Sequence, residues 1–276
     1  MQTIKLTIII VNYNSRTYLE KCLVSLFEKT DSSLFEIIIV NNGKENELKG
    51  LIDIFPLISI IQTKNNLGFG SANNLGAKKA RGEILLFLNP DTQIIFADFQ
   101  KIHKKFKTTK DIGIAGGKLI DENGNQQEWS FGMEITLKQI LKNKLSSQNA
   151  SKNKMKENPD WVSGTALFVS KKLFEELNGF DEKFFMYFED VDLCKRARKK
   201  NKQVVCLSDF SILHYGGKSY CQKNTQKKQY YLAQDYYFKK HSGRIHLFCL
   251  KFLRFAGMPV FIFLSNLKNN WRKKEI

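Results

Sequence analysis

Thr7-Ile-Ile-Ile-Val11 runs straight into Asn12-Tyr-Asn-Ser15, and from Thr17 the spacing changes: Leu19, Cys22, Leu23, Leu26 and Phe27 recur at helical intervals. An unbroken β-branched run with no polar alternation is a strand buried on both faces. A helix directly behind it is the first half of a crossover to a parallel neighbour. Thr17-x-x-Glu20 has the spacing of a capping box and marks the expected start of that helix. Glu36-Val40, Ser59-Gln62, Glu83-Leu88 and Ile112-Ala115 repeat the short apolar run, and a second helix is expected over Asn73-Ala80. Strands alternating with helices give an α/β fold on an open sheet, where ligands bind beyond the carboxyl ends of the strands. Site loops are therefore expected after Val11, Val40 and Leu88.

Beyond residue 115 the pattern changes. Asp121-Glu-Asn-Gly-Asn125 suggests a hairpin turn, and Lys138 to Lys156, with no acid between Glu134 and Glu157, suggests a mobile surface loop. Trp161-Val169 reads as a strand, Lys171-Leu177 as a short helix, Val191-Lys200 as a helix, and Gln203-Leu207 and Phe210-Leu213 as strands.

The 276 residues carry 44 Lys+Arg against 27 Asp+Glu, a net charge of +17, with 42% hydrophobic residues. That balance excludes disordered and fibrous chains and attracts polyanions: nucleic acid, anionic lipid or phosphorylated substrates. Five cysteines without a CxxC pair suggest neither a disulfide framework nor a zinc site. The amino-terminal segment has no signal-peptide pattern, and the longest uncharged apolar stretch, Phe255 to Leu264, is too short to span a bilayer. A cytoplasmic protein is expected.

Four segments could carry chemistry. Asn89-Pro90-Asp91 delivers a carboxylate at the end of a strand, where it could hold a metal-bound phosphate or simply close a Pro-Asp turn. His214 ends another strand ahead of Gly216-Gly217; an Asp and a His together would hold Mg²⁺ or Mn²⁺ incompletely, leaving room for diphosphate oxygens. Gly217-Lys218-Ser219 is no phosphate loop, because Ile212 stands where that motif needs glycine. Phe184-Phe-Met-Tyr-Phe188 precedes Glu189, Asp190 and Asp192, and a carboxylate walled by aromatics suits a general base. Arg196 on the same helix could face a phosphate. Asn65 to Asn74, with Gly68 and Gly70, precedes a helix and matches the dinucleotide fingerprint only weakly.

Taken together, and in this order, Val11-Asn-Tyr-Asn14, Ile39-Val-Asn-Asn42, Asn66-x-Gly68-Phe69 with Asn73-Asn74, Leu88-Asn-Pro-Asp-Thr92, Val162-Ser-Gly-Thr165, Gly179-Phe-Asp-Glu182 with Phe185 to Leu193 and Arg196, and His214-x-Gly-Gly217 resemble the family 2 glycosyltransferases, within them the bacterial rhamnosyltransferase-like members. The resemblance spans roughly Leu6 to Ser219. It implies a GT-A fold, a Rossmann-like mixed sheet flanked by helices, a nucleotide-diphosphate sugar donor and Mg²⁺ or Mn²⁺. Asn12, Tyr13, Asn14, Asn41, Asn66, Gly68, Asn73, Asn89, Asp91 and Arg196 would then serve the donor, and Asp91 and His214 the metal. Trp161, Gly164, Thr165 and Glu189 would serve the acceptor, with Asp190 the base of a single inverting displacement. The family usually carries aspartate where this chain has Asn41, which could still accept from a pyrimidine through its carbonyl. Asn89 ahead of Pro90-Asp91 resembles the rhamnosyl-transferring members and implies a dTDP-sugar, against UDP- or GDP-sugars as alternatives.

The expected division is a catalytic domain over 1–242, with a nucleotide-sugar half to about 115 and an acceptor half to about 242, followed by a basic, amphipathic tail over 243–276. In that tail Arg244, Lys251, Arg254, Lys268, Arg272, Lys273 and Lys274 alternate with aromatic and aliphatic residues. It is expected to lie on an anionic membrane, the inner face of the plasma membrane, near a saccharide or polyprenyl-diphosphate-linked acceptor. A basic nucleic-acid-binding protein and a non-catalytic sugar-nucleotide binder are the competing readings. No recognised nucleic-acid module supports the first, and intact Asp91, Asp190 and His214 oppose the second.

Overall fold

A computed structural model describes residues 4–145, 158–216 and 223–255. In chain order the principal elements are β1 (Leu6–Asn12), α1 (Arg16–Lys29), β2 (Phe35–Asn41), the single turn α2 (Leu51–Ile54), β3 (Ile58–Gln62), α3 (Phe69–Ala77), β4 (Ile84–Leu88), β5 (Thr92–Ala97), α4 (Phe99–Thr108) and β6 (Ile112–Ile120). Then follow β7 (Phe131–Gly132), α5 (Leu137–Leu145), β8 (Trp161–Val162), β9 (Ala166–Ser170), α6 (Lys171–Glu176), α7 (Glu189–Lys199), β10 (Gln203–His214) and α8 (Lys223–His241). A further helix covers 243–255. The chain divides into two compact units, Met1–Glu134 with Lys152–Ala233, and Ile135–Ser151 with Gln234–Ile276.

The first unit is built on an eight-stranded sheet of order β3-β2-β1-β4-β9-β6-β10-β5. β1 lies parallel to both β2 and β4, in register from Leu6 opposite Phe35 and Ile84. β9 runs antiparallel between β4 and β6, and β5 runs antiparallel on β10, so the sheet is mixed. Ile8, Ile9, Ile10, Leu85, Leu86 and Phe87 are fully buried, which is why these strands carry no polar alternation. The connections leave β1 toward β2 and β3, then return to its other side at β4. This reversal opens a crevice at the carboxyl ends of β1 and β4. On one face Phe87 packs tilted against Phe174 and edge-on to Phe180, at centroid distances of 5.0 and 4.8 Å. Elsewhere in the core Phe168 meets Phe210 edge-on at 4.9 Å.

Several expectations change. The capping box does not form: α1 starts at Arg16, Glu20 pairs with Arg16 at 2.8 Å, and Ser15 Oγ donates to Asn12 Oδ1. The ion pair within the first turns replaces the expected cap because Arg16 precedes Thr17. Trp161-Val169 is not one strand, since a turn at Ser163-Gly164-Thr165 separates β8 from β9 and sends them into different sheets. The two expected strands after Gln203 are one, β10, continuous through a register shift. The expected loop over Lys138-Lys156 begins as helix α5, and its remainder, 146–157, lies outside the described residues. The Asp121-Asn125 turn forms as expected, with Asp121 Oδ1 accepting from the amides of Asn123 and Asn125.

Candidate active site

Proline stiffens the turn from β4 to β5 and buries Asp91, only 2% exposed. Thr92 Oγ1 donates to the Asn89 carbonyl, closing the turn, and the Asn89 amide donates to the Thr165 carbonyl at 2.9 Å. Among the described residues Asp91 Oδ1 has no hydrogen-bond partner, although it is sequestered from solvent. Among the same residues, a basic group beside it is His214, whose Nε2 lies 3.6 Å away, too long for a hydrogen bond. His214 stands at the end of β10 opposite Thr92 of β5, so strand pairing carries it to Asp91.

The second group of carboxylates sits where a strained turn becomes α7. Tyr187 and Phe188 both have positive φ, 73° and 67°, so the turn reverses sharply and aims Glu189 and Asp190 into the unit. Asp190 Oδ2 accepts from the Gly164 amide at 2.7 Å and Oδ1 from the Val191 amide at 2.8 Å. Burial lifts its carboxyl above the ordinary aspartate range, and these amides pull it part of the way back. Glu189 is buried with Oε2 unpartnered, and desolvation and then the neighbouring Asp190 hold its carboxyl well above the usual range. Because Asn89 binds Thr165 and Gly164 binds Asp190, the β8–β9 turn joins the two groups into one site. Trp161 is buried, its indole Nε1–H donating to Met133 O, so it braces this turn from behind.

Gly68, at φ 80°, begins α3; a Cβ there would collide with the Phe185 carbonyl, which accepts from the Phe69 amide at 2.9 Å. Asn66 Oδ1 accepts from the Gly68 amide, and Asn42 Nδ2 donates to the Gly68 carbonyl. Asn73 bonds the Phe69 carbonyl within its own helix, and Asn74 clasps both the amide and the carbonyl of Phe180. These asparagines build the loops of the crevice.

Two expected donor residues have other work. Arg196 donates Nε–H to Asp192 at 2.7 Å and its terminal N–H groups to the Leu177 and Gly179 carbonyls, so it staples the α6–α7 connection and does not extend toward a phosphate. Asn41 Oδ1 accepts from Asn12 Nδ2 and the Gly43 amide, while its Nδ2 donates to Lys44 O and Gln62 Oε1. All four of its hydrogen-bonding positions are filled. It therefore ties together the ends of β1, β2 and β3 and has no acceptor left for a base. Tyr13 is half-buried and Asn14 exposed at φ 53°, both at the end of β1 on the crevice.

The family model for glycosyl transferase family 2 matches residues 7–177, well over half of the chain. The chain belongs to that family. It is 28% identical over 200 residues to the low-salt glycan biosynthesis hexosyltransferase Agl10 of Haloferax volcanii, covering 71% of this chain and 62% of that one. It is 24% identical over 233 residues to the N-acetylglucosaminyl-diphospho-decaprenol L-rhamnosyltransferase of Mycobacterium tuberculosis, covering 76% of each. Among solved structures, GalNAc-T7 with UDP, GalNAc and Mn²⁺ superposes with a TM-score of 0.59 at 16% identity, over 77% of this chain and 44% of that chain. The fold is thus that of the GT-A glycosyltransferases. The chain spans less than two thirds of Agl10 and less than half of GalNAc-T7.

Within the family 2 fold, residues absent from the sequence-based set complete the site: Gln127, Ser163, Asn42 and Gln62. Ser130 Oγ donates to the Gln127 carbonyl, and the Ser163 amide to the Ser130 carbonyl, linking the His214 and Asp190 sides. Each bonds a backbone group 21 to 87 residues away along the chain, which no local pattern in the sequence points to. Among the described residues no three His, Cys, Asp or Glu side chains group to hold a metal. Asp91 Oδ1 and His214 Nε2 lie 3.6 Å apart, and a carboxylate oxygen facing a ring nitrogen is a donor set that fits a hard or borderline divalent ion.

Proposed function

We propose that this chain is an inverting glycosyltransferase that moves a sugar, best matched by L-rhamnose from dTDP-rhamnose, to a saccharide or polyprenyl-diphosphate-linked saccharide in cell-surface polysaccharide synthesis. The observation that carries the reaction type is the single Asp190 carboxylate, held by two backbone amides at the mouth of an aromatic turn and joined through one tight turn to the Asn89–Asp91 loop. In this reading Asp190 takes the proton from the acceptor hydroxyl, whose oxygen attacks the anomeric carbon as the bond to the diphosphate breaks. Desolvation of Asp190 makes it a stronger base than an exposed aspartate. Asn12, Tyr13, Asn14, Asn66 and Gly68 bound the nucleoside end of the crevice. Gly164 and Thr165, with Trp161 behind them and Glu189 beside Asp190, shape the acceptor side. Asp91 and His214 would hold Mg²⁺ or Mn²⁺, which when bound supplies charge neutralisation for the leaving diphosphate. The rhamnose assignment is supported by the Mycobacterium relative and by Asn89-Pro90-Asp91. Hydrolysis of dTDP-rhamnose, UDP-sugars and GDP-sugars with each metal tests it: preference for dTDP-rhamnose supports the assignment, and preference for another nucleotide refutes it.

A peripheral membrane location on the cytoplasmic side belongs to the same reading. Among the described residues no helix is long and apolar enough to cross a membrane. The helix over 243–255 instead exposes Ile245, Phe248, Phe252 and Phe255, each more than 60% accessible, at intervals of three and four residues that place them on one face. Arg244 and Lys251 lie exposed on the same helix. A basic helix with an apolar stripe suits the interface of an anionic bilayer. The same stripe contributes Phe248 and Phe252 to an apolar groove shared with Leu137 and Leu141 of α5, within the second unit.

A further inference from the structure

Gln127 follows the Asp121-Asn125 turn, its amide bonded to the Leu119 carbonyl, and its side chain reaches His214 with two hydrogen bonds. Nε2 donates to the His214 backbone carbonyl at 2.8 Å, and Oε1 lies 2.7 Å from His214 Nδ1. A backbone carbonyl can only accept, so the first bond fixes the orientation of the Gln127 amide and turns its oxygen toward the ring. An oxygen facing Nδ1 at that distance requires Nδ1 to carry the proton. A neutral imidazole then has its lone pair on Nε2, the atom that faces the unpartnered Asp91 Oδ1 across 3.6 Å. Two acceptors facing each other, with Asp91 buried and His214 half-buried, repel each other, and together they would hold a divalent cation, which would relieve that repulsion.

We propose that Gln127 is a positioning residue that locks His214 in the Nδ1–H tautomer and thereby keeps the Nε2 lone pair directed at the cation position shared with Asp91. The inference rests on the reading that Asp91 and His214 hold the ion. Gly216 is part of the device: at φ 65° it turns the chain just after His214, leaving the Gln127 amide as the nearest group to its missing side chain. Outer partners of a ligating histidine fix its ring and typically contribute 10- to 100-fold in metal affinity.

The tautomer is read directly from side-chain ¹⁵N–¹H correlation spectra of the metal-free protein, with the His214 signals assigned by their loss in His214→Gln. Protonation at Nδ1 is expected in the wild type, and protonation at Nε2 alone overturns the proposal whatever the metal does. Mn²⁺ titrations followed by electron paramagnetic resonance, with dTDP, UDP or GDP present, supply the second readout. Gln127→Met keeps the volume and removes both bonds; a roughly 10- to 100-fold loss of Mn²⁺ affinity is expected. Gln127→Glu keeps an acceptor opposite Nδ1 and is expected to restore most of that loss. Unchanged affinity in Gln127→Met, or no recovery in Gln127→Glu, contradicts the role of Gln127 while leaving the ion site in place. Unchanged affinity in Asp91→Asn contradicts the ion site itself, and the role of Gln127 falls with it.

Discussion

At the residue scale the site depends on which polar atoms are already spent. Asn41 illustrates this, because a charged replacement of the same shape loses both of its donations, to Lys44 O and Gln62 Oε1, and points a carboxylate oxygen at each acceptor. Each buried group left unsatisfied costs roughly 1–3 kcal/mol. Asn41→Asp is therefore expected to lower the free energy of unfolding by at least about 2 kcal/mol in urea melts, and a neutral or stabilising effect would show that the bonds contribute little. Asp190 makes a pH prediction. Its basic form is the deprotonated one and burial raises its pKa, so the transfer rate should climb with pH through a midpoint above that of an ordinary aspartate. A rate already level at pH about 4 would exclude Asp190 as the base. The placement of Asp91, Asp190 and His214 beside the crevice was legible in the sequence because each lies at or next to the end of an element: Asp91 between β4 and β5, Asp190 in the first turn of α7 and His214 at the end of β10. Gln127 was not, and for Arg196 only its i,i+4 pair with Asp192 was locally encoded, since their other side-chain bonds run to groups 17 to 87 residues away, which no local pattern encodes.

At the element scale the chemistry hangs on the turn from Phe184 to Phe188 and the first turn of α7. Desolvation, and then the neighbouring Asp190, push the Glu189 carboxyl well above the usual glutamate range, and its linkage has a definite sign. The folded state binds this proton more tightly than the unfolded chain, so the group's stabilising contribution is full below the ordinary glutamate pKa and is lost as pH rises toward the folded value. Glu189→Gln removes that titration. The melting temperature of Glu189→Gln minus that of the wild type should therefore grow between pH about 4 and pH about 8, and a constant difference would place a solvated carboxylate at 189. Strands β1, β2 and β4 were legible because burial on both faces leaves a continuous apolar signature, whereas β3 lies half-exposed at the sheet edge. The Ser163-Gly164-Thr165 turn breaks the apolar run from Trp161 to Val169, a turn signal that the single-strand expectation passes over, and contacts with Ser130 and Asp190 hold the bend.

At the scale of the whole molecule, the +17 charge has a distribution that the bare composition lacks. Around the site Arg196, Lys195 and Arg198 are neutralised by Asp192, Glu134 and Asp160, so these cations stabilise the first unit. The second unit pairs Arg254 and Lys251 with Asp235 and leaves the apolar stripe of 243–255 uncovered. Replacing Ile245, Phe248, Phe252 and Phe255 together by serine removes only exposed side chains, each within about 0.5 kcal/mol of neutral for folding. If the stripe binds anionic lipid, sedimentation with phosphatidylglycerol vesicles should then fall at least roughly tenfold, and undiminished sedimentation, or none in the unaltered chain, contradicts the membrane role proposed for it.

The most direct test of the catalytic reading is a comparison of wild-type protein with Asp190→Asn, following nucleoside diphosphate release from dTDP-rhamnose in the presence of acceptor and Mn²⁺ or Mg²⁺, with donor affinity measured in parallel. Loss of a general base should lower the rate by roughly 10²- to 10⁴-fold while donor affinity stays close to that of the wild type. Turnover retained by Asp190→Asn would contradict an inverting displacement driven by this carboxylate.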